Sequence, residues 1–246
     1  MNIRLLFLVV IFSCGRVFSQ DTVMVCIDDS IHNFSLNGSN GSNYSWEIEP
    51  SNNIASIVSG QGTDEIIVKF NSIGLIKLIV DEIDINGCSG TDSIIIDIRE
   101  NPFVIISSNS YQICEGDSLE ITLDSIFSEV LWSTGSTEES IYATDGGNYY
   151  AQVTDKFGCK SNSNSIYIEE YENPVADFTY YGNCINNPTI FQNNSSSTDS
   201  IQLLEWVVQS NKFYGQSFEY IFKNSQQYDI KLLITTNKGC TDSLIK

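Results

Sequence analysis

Cysteines are the residues here whose type and spacing most plainly carry chemistry. The chain of 246 residues has seven of them, at Cys14, Cys26, Cys88, Cys114, Cys159, Cys184 and Cys240. A thiol can form a disulfide, ligate a metal or act as a nucleophile. No pair has CxxC spacing and the chain has a single histidine, His32, which speaks against a zinc centre. No GxSxG, HExxH or P-loop pattern accompanies them, and His32 reads as an ordinary surface residue near the first strand. The stretch from Glu82 to Gly87 has the outline of a calcium loop. It lacks the leading Asp and has Ser93 where the closing bidentate Glu belongs, so a helix–loop–helix site is excluded. A looser calcium site between modules, drawing on Asp81, Glu82 and Asp84, stands beside the plainer reading of a solvated hairpin. No catalytic, cofactor or metal residue is otherwise assigned, and the expected chain is not an enzyme.

The first nineteen residues have the parts of a secretory leader. Arg4 gives the positive start, Leu5 to Phe12 the apolar run, and Val17-Phe18-Ser19 the cleavage site, leaving Gln20 as the new N-terminus. The apolar run is too short for a resident transmembrane helix, which needs roughly 20 residues. A rival reading takes Ile11-Phe12-Ser13-Cys14 as a lipid-anchor motif, with bulky Phe12 against it. Cys14 falls inside the leader and leaves six cysteines, which suits an exported protein held by disulfides. The formal charge of −19 becomes −21 once Arg4 and Arg16 are removed. That balance disfavours nucleic acid and anionic lipid. The acids are dispersed and 41% of the residues are hydrophobic, so the chain is expected to fold.

Six cysteines allow 15 pairings, and an internal repeat narrows them. Each of three segments carries an early Cys, a Trp and a late Gly-Cys: Cys26, Trp46 and Cys88; Cys114, Trp132 and Cys159; Cys184, Trp206 and Cys240. The steps from early Cys to Trp are 20, 18 and 22 residues. Glu-Asn-Pro at 100–102 and again at 172–174 follows one apolar strand and precedes the next, and proline there stops a ladder. The resulting division is 1–19 leader, 20–100 first module, 101–171 second and 172–246 third. One disulfide per module then gives Cys26–Cys88, Cys114–Cys159 and Cys184–Cys240, a reasonable supplement to a thin core.

Short β-branched runs bounded by turns must position these residues. EIIVKF (65–70), LIKLIV (75–80) and SIIIDI (93–98) are strand signals, as are SLEITL, EVLWS, GNYYAQVTD, SIYIEE and YDIKLLITT farther on. Asn86-Gly87 marks a hairpin turn. No window carries an amphipathic helical stripe. The fold class expected is all-β, with three tandem small antiparallel β-sandwiches.

Particular residues carry a family resemblance. Asp145-Gly146-Gly147-Asn148-Tyr149-Tyr150-Ala151 resembles the strand-F corner of immunoglobulin-like domains, with Ala151 where that family has its cysteine. Trp132 resembles the tryptophan that packs between the two sheets. The third segment (ADFTYYGNC, FQNNSS, LLEWVV, YIFKNSQQYDIKLLITTNKGC) is similar to a PKD domain, apart from Gln227 where a glycine is usual before Tyr228. The first segment is similar through NYSWEIEP, GQGTDEIIVKF and IGLIKLIVDEIDINGC. Strings of such modules resemble secreted or surface proteins of Bacteroidetes, including the gliding motility-associated group exported by the type IX system. Those usually end in a sorting domain that this sequence does not show, and the third module reads as short at its last strand. Asp-Ser/Thr-apolar triplets place Thr22, Ser30, Ser93, Ser118, Ser125, Ser200 and Ser243 in what resembles the O-glycosylation motif of periplasmic proteins in that phylum. The competing reading is turn chemistry before a strand.

The equivalent positions of Trp46, Trp132 and Trp206 point to core packing rather than sugar stacking. Tyr149-Tyr150 and Tyr180-Tyr181 must each turn one ring outward by strand alternation. The function expected is that of an exported extracellular, cell-surface or periplasmic stalk or adhesive segment, with gliding or adhesion implied by the resemblance. Its partner would be a surface polysaccharide or a protein, with no nucleic acid and no membrane-spanning segment. The alternatives are a carbohydrate-binding accessory module of a polysaccharide-utilising system and a scaffold subunit of an envelope machine.

Overall fold

A computed structural model describes residues 2–3, 22–27, 31–36, 40–51, 53–182 and 184–246. The expected leader with its cleavage point, the lipid-anchor reading at Cys14 and the acceptor Ser30 lie outside the described residues, apart from the pair Asn2–Ile3. The described chain is all-β, as expected, and every element in it is a strand. It divides into two compact units.

The first unit comprises Met1–Ile105, Ser125–Leu131 and Ala151–Ser163. One four-stranded sheet runs Asn2–Ile3, Ile31–Ser35, Glu65–Phe70, Ala55–Ser59; another runs Thr22–Cys26, Ser89–Arg99, Gly74–Ile83, Asn43–Glu49. Alternation decides which faces turn inward. Ile66, Val68 and Phe70 are buried from one strand, Ile76, Leu78 and Val80 from a second, and Ile94, Ile96 and Ile98 from a third. They pack around Phe34 and Trp46 in one core, where each fully buried aliphatic side chain contributes about 1.5–3 kcal/mol. His32 belongs to the same inward face and not to the surface. It is 3% exposed, because alternation along Ile31–Ser35 buries it with Phe34, and its ring lies 4.8 Å from that of Phe70.

The second unit comprises Ile106–Asp124, Trp132–Tyr150 and Asn164–Lys246. Its sheets are Ser140–Ala143 with Leu119–Leu123 and Ile106–Ser108; Gln112–Cys114 with Ile166–Tyr171 and Gly147–Tyr149; Phe178–Tyr181 with Pro188–Asn193 and Ser217–Ile221; and Asn211–Tyr214 with Ile201–Val208, Ile230–Thr236 and Thr241–Ile245. An aromatic core fills the last two. The rings of Phe178 and Trp206 meet edge-on at 5.2 Å, and Phe191 stacks on Phe218 at 4.8 Å.

Among the described residues two disulfides form, Cys26–Cys159 and Cys114–Cys240, while Cys88 and Cys184 are free and exposed. The expected pairs Cys26–Cys88, Cys114–Cys159 and Cys184–Cys240 are therefore wrong. Strand direction explains the error. Thr22–Cys26 runs parallel to Ser89–Arg99 with Cys26 opposite Arg99, whereas Cys88 immediately precedes the start of that strand. Eleven extended residues separate Cys88 from Arg99, about 36 Å of strand at roughly 3.3 Å per residue, while a disulfide needs Cα atoms within about 7 Å. Cys114 stands opposite Tyr171 in the same parallel fashion, twelve residues beyond Cys159. In the third segment, Ile185 shares a cleft with Ile230 and Lys246, whereas Cys240 follows the far end of the strand Ile230–Thr236. Early and late cysteines of one segment thus sit at opposite poles.

Candidate functional site

The late cysteines occupy one repeated hairpin. Asp84, Asp155 and Thr236 each stand four residues before their cysteine. The Cys88 N–H donates to Asp84 Oδ1 at 2.8 Å, the Cys159 N–H to Asp155 Oδ1 at 2.9 Å, and the Cys240 N–H to Thr236 Oγ1 at 3.2 Å. The glycine before each cysteine donates its N–H to the carbonyl of that fourth residue, at 3.0, 3.1 and 3.1 Å. Its φ is +83°, +87° and +93° at Gly87, Gly158 and Gly239, a region that other residues occupy at a cost. The Cys88 N–H holds the Asp84 carboxyl below its ordinary value, with the Asn86 and Gly87 amides adding to this.

The two bonded hairpins carry a further contact. In the first unit the Arg99 guanidinium lies 4.5 Å from the centre of the Phe157 ring, and its Nε donates to Asp97 at 2.8 Å. In the second, the Lys238 ammonium lies 4.4 Å from the centre of the Tyr171 ring and donates to its hydroxyl at 2.9 Å. That hydrogen bond raises the Lys238 pKa. Cys159 and Cys240 are each 1% exposed. Sequence reasoning missed Arg99, Phe157, Tyr171 and Lys238; the signal available was the recurring Asp/Thr-x-x-Gly-Cys, which marks the hairpins but not their partners.

Trp46, Trp132 and Trp206 are all buried. Each indole N–H donates to a backbone carbonyl, of Thr63 at 2.8 Å, Glu138 at 2.8 Å and Gly215 at 2.9 Å. Such a bond lets a large amphipathic ring enter a core without stranding its donor. Tyr149 is buried and donates its hydroxyl to the Asp145 carbonyl at 2.8 Å, a tyrosine-corner arrangement. Its burial raises the phenol pKa. Tyr150, Tyr180 and Tyr181 are exposed.

The acids considered for calcium are engaged locally: Asp84 in its turn, Asp81 by the Thr91 hydroxyl, and Glu82 by the Tyr44 hydroxyl at 3.0 Å. Among the described residues no group of three or more His, Cys, Asp or Glu is placed to hold a metal. No helix of the described residues is long and apolar enough to cross a membrane. Of the glycosylation candidates, Thr22, Ser118, Ser125, Ser200 and Ser243 are exposed and Ser93 is half-buried within Ser89–Arg99.

The second unit also holds a cleft of about 280 Å³ lined by Tyr180, Phe191, Phe222, Tyr228 and Lys246. Thr189 lines it too, 3% exposed, with its hydroxyl oxygen buried and without a hydrogen-bond partner.

No family model matches the sequence, and neither does any curated protein. Solved structures with some likeness include the PKD1 domain of Vibrio anguillarum Epp, 20% identical, covering 31% of this chain and 92% of that one with a TM-score of 0.29. The N-terminal eight Ig domains of Down Syndrome Cell Adhesion Molecule isoform 1.30.30 are 10% identical over 94% of this chain and 41% of that one, at 0.41. The ectodomain of mouse nectin-like molecule 4 is 9% identical over 92% and 96%, at 0.37. At such scores these likenesses carry no argument; the fold described above rests on strand pairing and burial.

Proposed function

We propose that the chain is a non-catalytic, exported stalk or adhesive segment built of three modules, 20–100, 101–171 and 172–246. The observation that carries this reading is the pattern of disulfides. The early cysteine of one segment is bonded to the late cysteine of the next, through Cys26–Cys159 and Cys114–Cys240. Such bonds give a spacer covalent continuity between its parts under load. Disulfides also belong in an oxidising compartment, which agrees with the leader at 1–19. Single-molecule pulling tests the mechanical role. With the bonds formed, residues 26–240 are spanned by overlapping loops and extension is restricted to the ends and the short paths between crosslinks. Reduction should lengthen the fully extended molecule and lower the unfolding force. Identical traces before and after reduction would overturn the reading. Expression of the full chain in a bacterial host tests export, and retention in the cytoplasm with the leader uncut would count against it.

A second reading, a carbohydrate-contacting module, is favoured by the aromatic cleft and the unpartnered Thr189 hydroxyl. Aromatic faces stack on sugar rings and a buried hydroxyl needs a polar partner. Titration of the chain with soluble polysaccharides, followed through the ring resonances of Tyr180 and Tyr228, decides it. Shifts that vanish in Tyr228→Ala support it, and unmoved resonances reject it.

A further inference from the structure

Cys88 and Cys184 are the two free cysteines among the described residues, and both are exposed. Neither is isolated in kind, because the same chain holds bonded versions of both. Cys88 sits in the hairpin that presents Cys159 and Cys240 to their disulfides, with the same amide-to-side-chain bond at its cysteine. Cys184 sits in the turn type that presents Cys114. The carbonyl of Cys114 accepts from the Asp117 N–H at 2.9 Å, and that of Cys184 from the Asn187 N–H at 3.2 Å. In both formed bonds an early cysteine joins a late one from the following segment. Within the described residues one early half, Cys184, and one late half, Cys88, carry no disulfide.

Charge indicates which partner fits. In the bonded cases acids follow the early cysteine in sequence, Asp28 and Asp29 after Cys26, and Glu115 and Asp117 after Cys114. The late hairpins opposite them carry lysines, Lys156 and Lys160 around Cys159 and Lys238 before Cys240. The free halves invert this. The hairpin of Cys88 carries Asp81, Glu82 and Asp84 with no basic residue, and the turn of Cys184 reads Cys-Ile-Asn-Asn-Pro with no acid. Asn186 in that turn donates its N–H to the Phe222 carbonyl at 2.9 Å, which brings the exposed Lys223 next in sequence beside it. An acidic late hairpin repels the acids that follow Cys26 and Cys114 and suits the one early cysteine that no acid closely follows. We propose that Cys184 of one copy bonds Cys88 of a second copy.

Each bond joins unlike halves and leaves one free half on either copy, so the linkage grows by further copies or closes when two copies bond reciprocally. Formation needs an oxidant, supplied by a small-molecule disulfide. One thiol, as thiolate, attacks that disulfide and releases one small thiol, leaving a mixed disulfide on the protein. The second protein thiolate then attacks the protein sulfur and expels the other small thiol. Two protein thiols are oxidised and one small-molecule disulfide is reduced to two thiols. The proposal rests on the exported reading only in needing an oxidising compartment, and its test uses purified protein, so it fails or succeeds independently of export.

The full chain, equilibrated in a buffer of oxidised and reduced glutathione, is examined on a non-reducing gel and by mass photometry. The expected result is a ladder of disulfide-linked species, beginning at dimer, that collapses to monomer on reduction. Cys88→Ser and Cys184→Ser each reduce the ladder at least tenfold. An equimolar mixture of the two variants gives a dimer and nothing larger, with a Cys184–Cys88 peptide found by mass spectrometry. Unchanged melting temperatures of both monomers show that the substitutions leave the fold intact. Monomer alone, a Cys88–Cys184 bond within one chain, symmetric Cys88–Cys88 or Cys184–Cys184 dimers, or an undiminished ladder in either single variant overturns the proposal.

Discussion

The two disulfide regions make the same contact with their residues exchanged. In the first unit the cation, Arg99, lies on the strand opposite Cys26, and the ring, Phe157, lies in the hairpin two residues before Cys159. In the second unit the ring, Tyr171, lies on the strand opposite Cys114, and the cation, Lys238, lies two residues before Cys240. The separations are nearly equal, 4.5 and 4.4 Å. A position-by-position alignment of the repeats sets an arginine against a tyrosine and a phenylalanine against a lysine, and so finds nothing in common. The common feature is the pair. The exchange also has consequences: Arg99 has Asp97 as an ionic partner, whereas Lys238 gains a hydrogen bond to the tyrosine hydroxyl that a phenylalanine could not offer.

The largest expected effect breaks both regions alike. The disulfides close sequence separations of 133 and 126 residues, and loops of that length correspond to about 5 kcal/mol each in the chain-entropy account. Replacing Cys26 and Cys159 together by serine, or Cys114 and Cys240 together, should lower the urea midpoint by similar amounts. A several-fold disparity between the two double variants would mean that native packing around one bond, rather than loop closure, sets its contribution. A smaller effect separates cation from ring. A double-mutant cycle on Arg99→Ala and Phe157→Ala should give a coupling of about 0.5–1 kcal/mol. The exchanged variant, Arg99→Lys with Phe157→Tyr, should retain most of it if the second unit's chemistry works in the first unit's place. No measurable coupling would reduce the Arg99–Phe157 pair to mere proximity.

The strands and the inward faces were legible because their signal is local. EIIVKF buries Ile66, Val68 and Phe70 by alternation alone, and the equivalent tryptophans fall in cores with their N–H groups on carbonyls of nearby turns. The same alternation, applied to Ile31–Ser35, would have placed His32 inside beside Phe34. The usual polarity of histidine led to the opposite expectation. Disulfide pairing was not legible for a different reason. Spacing along the chain says which cysteines repeat, but not that Thr22–Cys26 runs parallel to Ser89–Arg99 and so carries Cys26 away from Cys88. Parallel pairing of a segment's first and last strands is a long-range fact, and one such fact relocates every partner. The acidic residues after Cys26 and in the hairpin of Cys88 were a usable hint, since bonding those two would have set like charges together.

The smallest effect sharpens the comparison by titration. A guanidinium stays charged through any pH at which the protein is folded, whereas an ammonium does not. The Lys238 pKa is raised above its ordinary 10.5, chiefly by the hydrogen bond to Tyr171. A cation whose folded pKa lies above its unfolded value contributes stability that is fully present below the unfolded value. That contribution is lost as pH rises through the folded one. The second region should therefore loosen above pH 10.5 while the first does not. Because Lys238 is solvent-facing, the change should register in its own signals more than in global stability. Followed through the side-chain nitrogen of Lys238, titration should show a midpoint above that of a free lysine. In Tyr171→Phe the ring remains while the hydroxyl is gone, so the midpoint should fall back toward 10.5 with the ring contact intact. A midpoint unmoved by that substitution would assign the shift to the acids Glu169 and Asp199, which also act on Lys238. The two regions would then differ only in which side of the contact carries the charge.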